Sequence, residues 1–458
     1  MQTAQQPALP EPTKREERRP WVQGVWKEYC TSALALAATL CALAGAFNAP
    51  LTHAGEVNWK QTYPIPPRML FQARKVIGTQ DGGYAFVADG IVLYKLSESG
   101  ELQWQAEIRS APGTPGNRNV ANDILQTADG GLLVIGGSDS DSIAGRDLSR
   151  PFGDRSGSSR DAVPLVAKFS PQGNELWRRV LLKPRPDYKI GEADQAVEIS
   201  DGYLVLGRHQ FVREKKPGLP VPRREVFLTK LSPAGEVLWE RSFGDIPYLG
   251  PIGYRLTKLE GDRIAMTGYA VLSPPPRPDG SPDLTGRSRR YSLFLAMDTQ
   301  GNETKRYTLD GLFQASAAMG SNVFILMNEA VRETARNAAP FRGPFILGEI
   351  DSNFAKREYP VCQGISDVMI LGMVAEKSPA ILLAFGRISK PTAQSFPRPY
   401  PVLMEVRPNG DCRIRREDSD LDVELRSLVP ASDSSGWIAL FAHLAKRDVF
   451  WLEKFRLE

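Results

Sequence analysis

Three histidines, His53, His209 and His443, are the whole imidazole inventory of a 458-residue chain. A zinc centre takes three or four ligands from Cys, His and carboxylates, and a His-based nucleophile triad needs one imidazole beside its nucleophile. His209 and His443 fall at matching positions of repeated segments, six residues after Tyr203 and Trp437, but in copies that are not neighbours. Both read as polar residues at strand ends. Asp139-Ser140-Asp141 with Asp147 imitates part of a calcium loop, yet the Gly and the closing Glu of that pattern are absent. We therefore expect no metal, no cofactor and no catalytic residue. Cys362 and Cys412 stand 50 residues apart, and the spacing leaves a disulfide and two free thiols equally open.

What remains for chemistry is charge. Asp123, Asp194, Gln195 and Arg255 lie where repeated segments begin and would line a channel mouth. A second set is cationic: Arg213, Lys215, Lys216, Arg223 and Arg224 in one insertion, Arg287, Arg289 and Arg290 in the next. The formal charge of the whole chain is only +4, so net charge does not indicate nucleic acid.

The elements that position these residues come from internal repetition. Val76 to Ile108, Ile124 to Leu181 and Ala196 to Gly244 align, each with four short apolar runs separated by Gly-rich turns; fainter copies begin at Arg255, Phe313, Val368 and Leu425. Four strands per copy at a period of roughly 50 to 70 residues reads as the blade of a propeller. The seventh copy stops after its third strand. Gly55-Glu56-Val57-Asn58-Trp59 repeats Gly235-Glu236-Val237-Leu238-Trp239 and offers the missing outer strand from the other end of the chain. The expectation is an all-β, seven-bladed propeller of four-stranded blades, one domain over 55–458, with the last blade closed by the N-terminal strand. The tryptophans at 104, 177 and 239 follow Gly-Glu or Gly-Asn turns and read as plugs between blades.

Residues 1–54 read differently. A polar stretch with Lys14, Arg15, Arg18, Arg19 and Lys27 precedes an apolar run at 31–47 and a small-x-Ala site at Thr52-His53-Ala54. That order is a secretory signal peptide; an uncleaved membrane anchor is the alternative. The expected location is periplasmic or secreted, with no membrane span in the mature protein.

The Gly-x-x-x-Trp turns resemble the repeats of quinoprotein-like (pyrroloquinoline-quinone-repeat) propellers. That superfamily includes quinone-dependent alcohol dehydrogenases and non-catalytic assembly-factor lipoproteins. Asp81-Gly82-Gly83 and Asp129-Gly130-Gly131 resemble the DGG-type turns of exported bacterial propellers. The resemblance implies the fold and, through turn residues alone, no activity. The vicinal cysteines of the dehydrogenases are missing, so no bound quinone is expected.

Long insertions, at about 138–163, 208–225, 272–291, 332–343 and 387–400, all join second to third strands and so share one face with the links between blades. The last four carry sixteen Lys and Arg against five acidic residues. The reading is a monomeric, non-enzymatic binding protein whose basic face engages an anionic partner: a protein, an envelope glycan or a lipid headgroup. One version is an immunity protein against a secreted toxin. An oxidoreductase or lyase at the channel mouth is the alternative.

Overall fold

The computed structural model describes residues 57–63, 73–88, 92–108, 119–139, 162–181, 188–211, 223–247, 254–272, 289–328, 344–365, 368–376, 381–389, 399–417, 423–443 and 449–457. The signal-peptide reading of 1–54 lies outside them.

A lone strand, β1 (Val57–Thr62), precedes the first blade, β2 (Ala73–Gly78), β3 (Tyr84–Ala88), β4 (Val92–Leu96) and β5 (Leu102–Glu107). Blade 2 is β6 (Val120–Gln126), β7 (Leu132–Asp139), β8 (Ala162–Phe169) and β9 (Glu175–Val180). Blade 3 is β10 (Tyr188–Ile199), β11 (Gly202–Phe211), β12 (Arg223–Leu231) and β13 (Val237–Pro247). Blade 4 is β14 (Arg255–Lys258), β15 (Ile264–Leu272), β16 (Arg289–Met297) and β17 (Glu303–Leu309). Blade 5 is β18 (Leu312–Met319), β19 (Asn322–Asn328), β20 (Phe345–Ile350) and β21 (Lys356–Val361). Blade 6 is β22 (Val368–Glu376), β23 (Ile381–Ser389), β24 (Pro399–Val406) and β25 (Cys412–Glu417). Blade 7 is β26 (Val423–Pro430), β27 (Trp437–His443) and β28 (Phe450–Phe455), and its fourth strand is β1, paired antiparallel to β28 with Thr62 opposite Trp451. First strands touch first strands all the way round, from β2 through β26 and back to β2, so they line the axis.

Each blade is buried on both faces because its strands alternate between two neighbours. On β3, Tyr84, Phe86 and Ala88 pack towards blade 7 while Ala85 and Val87 pack towards blade 2. Seven apolar clusters result, one per interface.

The staple on each interface differs around the ring. The tight turn before an outer strand ends in a Gly in the left-handed region, and the tryptophan of the preceding blade packs against it. Trp59 covers Gly100, Trp104 covers Gly173, Trp177 covers Gly235 and Trp239 covers Gly301. Trp104 Nε1 also donates to Pro171 O at 3.0 Å, and Trp177 Nε1 to Pro233 O at 3.2 Å. The tryptophans are thus interblade packing, as their spacing suggested. Blades 4 and 5 are tied by Tyr307 Oη donating to Phe354 O at 2.6 Å. A disulfide between Cys362 and Cys412, with Cα atoms 4.8 Å apart, joins blades 5 and 6 and resolves the open cysteine question. Arg416 joins blades 6 and 7, with Nη1 2.5 Å from Glu453 and its guanidinium over the rings of Phe441 and Phe455.

The turns between first and second strands hold a feature that no single copy reveals. Asp81, Asp129, Asp201 and Asp433 each receive, at 2.7 Å, the ammonium of a buried lysine on the third strand of the same blade: Lys95, Lys168, Lys230 and Lys454. Burial by itself raises Asp129, but the hydrogen bonds from Lys168, Thr127 and Gly131 outweigh it and hold the carboxyl down to about 2. The lysines give up their hydration for this bond, so each pair is a strong constraint on turn position and a weak source of net stability.

Candidate functional site

The innermost strands share one irregularity. Six of the seven pair with their second strand through a bulge, at Arg74, Asn122, Asp194, Gln314, Leu371 and Arg426, and β10 has a second irregularity at Lys189. A bulge adds a residue to one strand and re-aims its side chain. Repeated around the ring, it brings mostly polar residues to one level of the innermost strands, towards the face where first strands begin.

Two charged clusters stand at that level. In the first, Asp123 of β6 is 1% exposed; one of its oxygens pairs with Lys75 of blade 1, and Oδ2 is buried without a partner among the described residues. Next to it on β10, Asp194 has a side chain 14% exposed, with Arg208 Nη1 3.1 Å away; Arg208 Nη2 also reaches Glu192 at 2.5 Å. Burial is the largest influence on Asp194. With Glu192 and Asp123 acting the same way and Arg208 and Arg255 opposing, the carboxyl is pushed up to about 6. In the second cluster, Arg387 of β23 and Arg426 of β26 both pair with Glu424, whose side chain is 1% exposed. Burial draws the Arg387 guanidinium down to about 10, and Arg426 acts in the same direction.

The residues expected at the channel mouth meet in part. Asp123, Asp194 and Arg255 come from three consecutive blades, and both Asp123 and Arg255 act electrostatically on Asp194. Gln195 serves the frame instead: its Oε1 accepts from the backbone N–H of Leu256 at 2.8 Å, linking blades 3 and 4. Asp123 and Asp194 lie within their strands and not at the start, because the first strands extend beyond the apolar run that marks them in sequence.

The cationic insertions are shorter than the sequence suggested. Second and third strands run on into them, so Arg223 and Arg224 are ladder residues of β12, opposite Phe211 and Gln210, and Arg289 and Arg290 begin β16 opposite Leu272 and Val271. These four backbone positions still lie at the insertion end of their blades. Arg213, Lys215, Lys216 and Arg287 lie outside the described residues. Arg208 and Arg387, counted among the loop charges from sequence, belong to strands and spend their charge inside the channel clusters. Their signal was present: Gly207-Arg208 and Gly386-Arg387 repeat the same dipeptide at the same place in copies three and six.

His209 corrects the strand-end reading. It lies inside β11, 3% exposed, with its ring stacked on Phe227 at 5.6 Å and Nε2 3.4 Å from Glu225. His443 does end β27. Asp139 ends β7, while Asp141 and Asp147 of the calcium-like segment lie outside the described residues.

No protein-family model matches the sequence, and no curated protein matches it. Among solved structures the chain is similar to BamB from Moraxella catarrhalis, at 9% identity over 86% of this chain and 100% of that one, with a TM-score of 0.40. It is similar also to the C-terminal WD40 domain of Sif2, at 9% identity over 88% and 93%, TM-score 0.42. A third is a protein of unknown function from Bacteroides caccae, at 12% identity over 68% and 95%, TM-score 0.33. At these values the seven-bladed assignment rests on the strand pairing of the chain itself. No helix among the described residues is long and apolar enough to cross a membrane.

Proposed function

We propose that the protein is a binding propeller of the periplasm or cell exterior, and that its insertion-bearing face engages an anionic partner. The observation that carries this is topological. Every long connection within a blade joins its second to its third strand, so all five open on the end of the ring where the first strands and their charged bulges begin. The opposite end is closed by tight turns such as Ser97 to Gly100 and Ser232 to Gly235. Loops on a rigid scaffold are where recognition usually resides. The basic residues of the insertions in blades 3 and 4 favour a partner that presents carboxylates or phosphates, among them a secreted toxin enzyme, an envelope glycan or a lipid headgroup.

The test is affinity for a captured partner at two salt concentrations. Exposed charges act chiefly on association rate and are screened beyond about 8 Å at physiological salt. Binding should weaken as salt rises, and Arg223→Glu with Arg224→Glu, Arg289→Glu and Arg290→Glu should reduce it strongly. Equal numbers of reversals in the tight turns should do little. Equal losses from the two faces, or none from the arginine set, would refute the proposal.

A second reading, a lyase or oxidoreductase working at the channel mouth, is favoured by Asp194 alone. A carboxyl that titrates at about 6 between Arg208 and Arg255 can give and take a proton near neutrality. Turnover lost in Asp194→Asn with partner affinity intact would select this reading over the first.

A further inference from the structure

Six large apolar side chains stand exposed among the described residues, and all belong to outer strands: Val57, Leu102, Leu176, Val180, Val237 and Leu238. Those strands, β1, β5, β9 and β13, come from four consecutive blades, 7, 1, 2 and 3. Five of the six lie at one level. Val57, Leu102 and Val237 each stand opposite the last residue of a third strand, Phe455, Leu96 and Leu231, and Leu176 and Leu238 are one residue past that position. This level belongs to the end of the ring closed by tight turns, away from the insertions. The tryptophans join the positions into a strip: Trp59 packs on Gly100, two residues before Leu102; Trp104 on Gly173, three before Leu176; and Trp177 on Gly235, two before Val237. In blades 4, 5 and 6 the same level is held by Glu303, Lys356 and the disulfide-bonded Cys412, so the strip stops there.

An apolar strip on a surface marks a place of contact, and four observations select what it meets. The ladder of all four outer strands breaks within the strip, at Asn58, Gln103, Leu176 and Leu238, which spoils the edge for pairing with a strand of another chain. Segments 57–60, 101–104, 175–179 and 236–241 hold four basic and four acidic residues, so the strip offers no net charge to an acidic or basic protein. Aliphatic side chains beside half-buried tryptophans are the composition that settles at a lipid interface. Finally, the strip begins at Val57, and only nine residues, 48–56, separate Val57 from the apolar run at 31–47. Nine residues reach at most about 30 Å, so a chain held in a bilayer by that run carries β1 to the bilayer surface. We propose that the strip on blades 7, 1, 2 and 3 is a membrane-contact rim, which places its Leu and Val side chains among the headgroups of a zwitterionic lipid surface. The contact lies at the opposite end of the ring from the insertions and does not depend on their charge.

The experiment titrates the whole chain, carrying Trp21→Phe and Trp26→Phe, with vesicles of phosphatidylcholine brominated on its acyl chains, and reads tryptophan fluorescence. Bromine quenches on contact. Of the six tryptophans left, Trp59, Trp104, Trp177 and Trp239 lie in the strip, and Trp437 and Trp451 are buried, 4% and 8% exposed, so quenching reports the strip. It should be saturable and should persist at high salt. Leu102→Gln with Leu176→Gln, Val237→Gln and Leu238→Gln should weaken it at least about tenfold, from the apolar area removed; all four side chains are exposed, so the fold is kept. Thr304→Leu, which carries the strip on to blade 4, should strengthen it. Arg223→Glu with Arg224→Glu should leave it unchanged, which separates this rim from the basic face and its partner. No quenching, or equal quenching in the four-glutamine variant, overturns the proposal. Quenching that needs anionic lipid and fades with salt also overturns it and assigns the lipid to the basic face. Self-association without lipid that the same four glutamines abolish overturns it in favour of a second copy of the chain.

Discussion

Replacing Asp194 by Asn should stabilise the protein at neutral pH and leave it unchanged in acid. The carboxyl titrates at about 6 in the folded chain against 3.8 for an ordinary aspartate. Between those two values the folded state holds the proton more firmly than the unfolded state. Stability contributed by that proton is therefore complete below about pH 4 and is lost as pH rises through 6. At about 1.36 kcal/mol for each pH unit between the two midpoints, the loss reaches about 3 kcal/mol above pH 7. That is an upper value, because Arg208 and Arg255 can relax once the charge changes. Asparagine keeps the shape and never ionises, so it escapes the penalty. Arg208 retains Glu192 as a partner in the variant, which limits the damage to that arginine. Urea unfolding of wild type and variant should show curves that coincide near pH 4 and diverge by about 1–3 kcal/mol in favour of the variant at pH 7.5. A variant less stable than wild type at pH 7.5, or a difference independent of pH, would show that Asp194 is held ionised by the two arginines and that burial is not the dominant influence.

Two further outcomes follow from the frame. A chain beginning at Arg68 lacks β1 and Tyr63, whose hydroxyl donates to Gly100 O at 2.7 Å and whose ring stacks on Phe450 and packs at a tilt against Phe86. Loss of one buried aromatic alone costs about 3–5 kcal/mol, so cooperative melting should shift to much lower temperature; an unchanged calorimetric transition would mean that the ring closes without the first strand. Alanine at Gly235 and at Gly261 tests the tryptophan staple, since both residues have positive φ, +80° and +70°, but only at Gly235 would a Cβ meet a ring, 2.6 Å from Trp177, while Gly261 has open space. Each substitution carries a backbone cost of about 1 kcal/mol, and Gly235→Ala should add at least as much again in chemical denaturation; equal costs would remove the packing role assigned to Trp177.

The architecture was legible because its causes are local. Gly173-Asn174-Glu175-Leu176-Trp177 and its relatives encode a turn that demands a left-handed glycine, an outer strand and a large apolar plug within five residues. Strands that bury both faces then appear as short apolar runs, and repetition at blade spacing leaves one way to bury them all. Ring closure was legible for the same reason, since Val57 to Trp59 copies a pattern present in three other places.

The site was less legible because it depends on pairings that cross that local code. A bulge adds one residue to one strand and so exchanges which side chains face the channel; nothing in the stretch around Asp194 or Arg426 marks that insertion. Arg208 and Arg387 looked alike, as charged residues at the start of insertions. Only the ladder shows that one faces Glu192 and the other Met369. The lysines behind the turns between first and second strands were hidden in the same manner: Lys168 lies 39 residues from Asp129, and in sequence it is one more charge in a strand. A residue's type and its turn fix the element it belongs to, whereas the free energy of a buried charge depends on which carboxylate stands within 3 Å, and distance of that kind is decided only when seven sheets close into a ring.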